Sequence, residues 1–87
     1  MIGNKKLYLI KWLDSYMHPS WWEDRDKIKN PVNMVCASVG WIEKETKDNI
    51  TILPHISNIT DKNYKGQGCG IMTIPKASIL ERIKIKI

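Results

Sequence analysis

Phenylalanine is absent from this 87-residue sequence, and cysteine is scarce. The two thiols, Cys36 and Cys69, stand apart without a Cys-x-x-Cys pair or clustered histidines, so no metal-binding constellation is spelled out. A two-cysteine chain of this kind is expected to keep both thiols reduced and packed, as in the cytosol. No long apolar run exists either. Met1 to Lys6 leads into only about seven apolar-rich residues, broken by Lys11 and Asp14, too few for a secretory signal or a bilayer span. A cytoplasmic protein with no membrane contact is the expectation. The sequon matches at Asn49 and Asn58 then carry no weight. There is no internal repeat and no low-complexity tract.

Catalytic patterns are missing as well. His18 and His55 lie far apart without carboxylates at helical spacing, and nothing in the spacing recommends Cys36 with His55 as a nucleophile and base. Gly66-Gln67-Gly68-Cys69-Gly70 lacks the strand and helix that a phosphate-cradling loop needs. The expected class is therefore a binding module without cofactor or enzymatic activity.

What is present fits one small domain, residues 1–87. Hydrophobic residues make up 43% and charged residues 26%, which is ordinary for a folded chain. A core this small supplies only ~3–5 kcal/mol, a reason to self-associate, and a homo-oligomer is expected. Fourteen Lys and Arg against nine Asp and Glu give a net charge of +5, which favours phosphorylated or polyanionic partners. Most of those cations alternate with acids, so a solvated surface competes with that reading.

Leu7–Leu13 reads as a first strand, apolar enough to be buried on both faces. A polar excursion follows, in which Ser20 and Glu23 have the spacing of a capping box for a short helix before Asn30-Pro31. Met34–Glu45 is a second strand with Val35, Ala37, Val39 and Trp41 on one face, and Gly40 predicts a bulge or bend. Ile50–Leu53 is a third strand, Ser57–Gly70 a flexible connection, and Ile71–Ile74 a fourth strand. Pro75–Ser78 makes a one-turn break before a fifth strand, Ile79–Ile87, in which Arg82, Lys84 and Lys86 share a side. An all-β fold follows. The segment Gly70-Ile71-Met72-Thr73-Ile74-Pro75, then Ile79-Leu80, resembles a small five-stranded Src-homology-type or Sm-like barrel with a long first loop and one short helical turn.

The aromatic inventory is unusual: four Trp and three Tyr. Trp12 and Trp41 are expected in the core. Trp21 and Trp22 are adjacent and cannot both point inward easily, so at least one should be exposed or buried in an interface, and the pair is a candidate to touch a ligand or a second subunit. With Tyr16 they crowd the first loop. Asp14 and Ser15 directly follow the first strand, where the carboxylate either accepts bonds from a ligand or closes an Asx-type turn on its own backbone. Lys76 and Arg82 are candidate phosphate contacts, set against the plainer role of charges guarding an edge strand. The candidate ligand set is Asp14, Ser15, Trp21, Trp22, Trp41, Lys76 and Arg82.

Trp12-Leu13-Asp14-Ser15, Trp22, Ser38-Val39-Gly40-Trp41, Ile50-Thr51-Ile52-Leu53 and Gly70–Lys76 together resemble a class of short bacteriophage proteins of unassigned function. That resemblance implies a protein acting in the infected host cell. By analogy with counter-defence factors of this size, it implies an oligomer that sequesters a nucleotide-type immune signal. A nucleic-acid-binding barrel and a protein inhibitor of a host defence factor are the alternatives.

Overall fold

The computed structural model describes residues 5–15, 17 and 20–86. The expectations placed on Met1–Asn4, Tyr16 and His18 lie outside the described residues. Seven strands form among those described: β1 (Leu7–Asp14), β2 (Met34–Glu45), β3 (Asn49–Leu53), β4 (His55–Ile56), β5 (Gly68–Cys69), β6 (Met72–Pro75) and β7 (Ile79–Lys84). The fold is mainly β. Five strands make one antiparallel sheet in the order β6-β3-β2-β1-β7, while β4 and β5 pair as a separate two-stranded ribbon.

Side-chain alternation decides what the sheet buries. Ile10 of β1, Ile50 and Ile52 of β3, and Ile74 of β6 share one face and are fully buried. Tyr8, Trp12, Ile42 and Ile79 pack against them. Four isoleucines suit this position because β-branched chains stand stiffly on a pleated surface and fill it at low entropic cost. Trp12 also reaches across to β2, its Nε1 donating to Ser38 Oγ at 3.0 Å.

Trp41 takes the opposite face, half-buried beside Leu7, so only one of the two tryptophans expected in the core is there. The reverse face of β1 and β2 carries Leu7, Leu9, Leu13, Val35, Ala37, Val39 and Trp41. No second layer covers it among the described residues, and β1 is buried completely only at Ile10. Leu53 is the exception on that side. It is buried, and a side chain at Gly68 would lie 3.0 Å from its Cδ2.

The edge strands β6 and β7 are consecutive in the chain, linked by one 3₁₀ turn, Lys76–Ser78. A flat five-stranded sheet would set its edges roughly 19 Å apart. A three-residue 3₁₀ turn advances only about 6 Å. The sheet must therefore roll until its edges converge at that corner. β2 makes the roll possible: its register with β3 slips between Ile42 and Lys44, two residues beyond the expected bulge at Gly40. Gly40 instead allows close approach, since a Cβ there would come within 3.1 Å of the Leu53 carbonyl oxygen and the Ile52 Cβ. Rolling stops short of closure, for no ladder joins β6 to β7 among the described residues.

The first loop departs from expectation in one respect. Its only helical piece among the described residues is a 3₁₀ turn, Arg25–Lys27, with Asp24 at the N-cap and no side-chain cap. Ser20 and Glu23 form no capping box; Glu23 instead accepts from Trp21 Nε1 at 3.2 Å. The turn's N-cap is Asp24, four residues beyond Ser20, so Ser20 is not at an N-cap and a box cannot form. No helix among the described residues is long and apolar enough to cross a membrane.

Candidate functional site

The residues singled out in the sequence do not assemble in one place. Asp14 sits at the end of β1 opposite Met34, whereas Trp41 lies opposite Leu7 at the other end. Seven steps along a strand separate those ends, roughly 23 Å. Ser15 N–H donates to Asp14 Oδ1 at 2.8 Å, a local bond that caps the strand end with its own carboxylate. Trp21 and Trp22 lie on the exposed first loop, Trp22 without any burial at 102% relative exposure.

Lys76 and Arg82 do come together, on an acid. Arg82 donates from both terminal nitrogens to Glu45, 3.1 and 3.0 Å, and Lys76 Nζ lies 2.8 Å from the same carboxylate. Glu45 is at the end of β2, two strands away from β7, so this cluster laces the rolled sheet together. The Arg82 guanidinium, and after it the Lys76 ammonium, hold the Glu45 carboxyl down at about 2, while desolvation opposes them weakly. The same bond raises Arg82 above its ordinary value. Arg82 also lies 5.8 Å from the centre of the Tyr8 ring, in cation–π range.

Beside this cluster opens a cleft of about 960 Å³ between the sheet and the segment that joins β4 to β5. That segment is built by local bonds. Ser57 N–H donates to the Gln67 carbonyl and Gln67 N–H to Ser57 Oγ, both 2.8 Å, which pins the loop at its neck. Within it, Asp61 N–H donates to the Asn58 carbonyl (3.1 Å) and Asn63 N–H to Asp61 Oδ1 (2.9 Å). Gly66 is required by the neck, having φ +80°, and any Cβ there would lie 2.0 Å from the Ser57 carbonyl oxygen.

The cleft presents two tyrosines, Tyr8 from β1 and Tyr64 from the loop, and lysines on both walls. Lys5 is paired with Glu43 at 2.5 Å. Lys6, Lys62 and Lys65 take part in no ion pair among the described residues, so their charge is directed at solvent or a ligand. Of the residues expected from sequence only Arg82 lines this cleft. The others that line it carry little signal in the sequence, because Lys62-Asn63-Tyr64-Lys65-Gly66 reads as a polar linker. Its one signal is a tyrosine between two lysines in a loop that is otherwise small and polar.

His55 faces Cys69 across the β4–β5 ladder, away from any pairing with Cys36, and both thiols are free. No protein family, curated protein or solved structure matches this chain.

Proposed function

We propose that this chain is a non-catalytic binding protein whose cleft takes a nucleotide-type ligand. The observation that carries the reading is the pairing of flat aromatic faces with uncommitted cations in one space: Tyr8 and Tyr64 together with Lys6, Lys62 and Lys65. A base needs a face to stack on, and its phosphates need cations not already neutralised. Ligand sites commonly enclose ~300–1,000 Å³, and this cleft lies within that span. We read the sheet as an open form of the Src-homology or Sm-like plan. Support comes from its strand order and from the 3₁₀ turn that carries the chain from one edge to the other. On the bacteriophage resemblance, the ligand is an immune-signalling nucleotide and the place of action the cytoplasm of the infected cell.

One observation favours a second reading. The lysines line both walls of an open cleft, which also suits a single strand of nucleic acid passing through. Salt separates the two. A panel of cyclic and linear nucleotides and a fluorescent oligonucleotide, titrated at low and moderate salt, should show nucleotide binding with a shallow salt dependence. Steep, salt-sensitive oligonucleotide binding without nucleotide binding would replace the first reading by the second.

A further inference from the structure

The first loop is an arm without a resting place in its own molecule. Every residue from 20 to 33 is exposed, including Trp21 (67%), Trp22, Ile28 and Val32. Fully exposed tryptophan is costly in water, because each buries ~150–250 Å² when it finds a partner. The chain as a whole shows the same deficit. It exposes 7512 Å², against roughly 5,300 Å² for a compact monomer of its mass. Its radius of gyration is 17.6 Å, where about 12 Å is usual for this length. Among the described residues only five apolar side chains are buried.

The surface that fits the arm lies on the reverse of the sheet. Ile83, Leu9 and Val39 form a row directly across β7, β1 and β2, with Val35 and Leu13 on the same face of the ribbon. Val39 and Ile83 are each more than 40% exposed. Lys11 and Glu81 share this face and are neutralised as a 3.2 Å ion pair, so no net charge opposes an apolar occupant.

We propose that a second copy of this chain supplies that occupant. The arm of each protomer, residues 20–33, crosses to the partner and lays Trp21 and Trp22 over its Leu9–Val39–Ile83 row. The exchange is reciprocal, which makes a closed two-fold dimer in which the same two surfaces are used twice. Area supports this choice. The surface in excess of a compact monomer is roughly 2,000 Å² per chain, well above the ~800 Å² that each side of a stable interface contributes. The arm's charges are mixed, Glu23, Asp24 and Asp26 against Arg25, Lys27 and Lys29, and sum to zero, so two arms do not repel each other.

Sedimentation equilibrium of the full chain at tens of micromolar should give about 20 kDa, twice the 10.1 kDa of one chain. Trp22→Ser on the arm and Val39→Lys on the face should each weaken the dimer about 30-fold or more, the scale of a hot-spot loss. Circular dichroism of each variant should keep the strand signature. Where a variant does not fold, cross-linking carries the test. With Cys36→Ser and Cys69→Ser in the background, one chain bearing Trp22→Cys and another bearing Val39→Cys should form a mixed disulfide dimer on oxidation. Neither should cross-link to itself. A wild-type monomer at that concentration means that the arm rests on its own chain or on another protein, and overturns the proposal. So does a dimer unaffected by folded Trp22→Ser, or self-linking of the Val39→Cys chain through a face-to-face contact.

Discussion

Arg82 grips Glu45 with both ends of its guanidinium, spanning β1 to join the last strand of the sheet to the end of the second. The pair holds together two strands that share no ladder. Its effect on stability depends on pH with a definite sign. Glu45 ionises at about 2 in the folded chain against its ordinary 4.5. A depressed carboxyl stabilises the fold above the unfolded value, and that contribution disappears as pH falls from 4.5 towards 2. The urea midpoint should therefore drop across this range, and Glu45→Gln should flatten the drop. Equal slopes in the two proteins would show that the pair adds nothing to folding.

Gly66 offers a sharper test of the loop. Alanine there places a Cβ against the Ser57 carbonyl and needs a left-handed backbone. Gly66→Ala should cost about 1–3 kcal/mol. Ligand affinity should fall with it, because the same neck positions Lys62, Tyr64 and Lys65. Urea denaturation and ligand titration of one preparation measure both.

The residues proposed to bind the ligand should behave in the opposite way. Tyr64 is 46% exposed and its loss opens no core cavity. Tyr64→Ala should weaken nucleotide binding by roughly 1–3 kcal/mol if a base stacks on it, leaving the thermal midpoint nearly unchanged. Replacing Lys62 and Lys65 together by Ala should weaken binding in proportion to ligand phosphate number. Unaltered titration isotherms in both variants would remove the cleft from consideration.

Core truncation sets the scale for all of these. Ile50 is 1% exposed and touches the other buried isoleucines. Ile50→Ala should cost about 2–5 kcal/mol, enough to unfold a domain with so few buried side chains. The strand spectrum should be lost at ambient temperature.

Strand positions were legible because β-branched runs and period-two alternation act locally. β2 has the bounds that its pattern predicts, Met34–Glu45, and the turn before Ile79 starts within one residue of the expected place. Which face is buried was harder to read. Val35, Ala37, Val39 and Trp41 look like a core face, yet Ser38, Gly40 and Ile42 line the inside. Gly40 leaves no room for a side chain on the inner side of β2 where it meets Ile52 and the Leu53 backbone, and the larger Val39 and Trp41 lie outside. The cleft was hidden for a different reason. Its walls come from positions as distant as Lys6, Lys62 and Arg82. Only the Ser57–Gln67 neck and the roll of the sheet bring them together, and both are tertiary events.

The order of the strands also bears on how the chain comes off the ribosome. β1 is made before the other strands described and β7 after them, yet the two are ladder partners, Tyr8 with Lys84 and Leu9 with Ile83. Until β7 emerges one edge of β1 stays unpaired beside Leu9 and Leu13, an open template for strands of other nascent chains. Contacts of such long sequence separation form slowly. A chain stalled or cut before Ile79 would keep that edge permanently, and aggregation rather than a partly working protein is its expected fate.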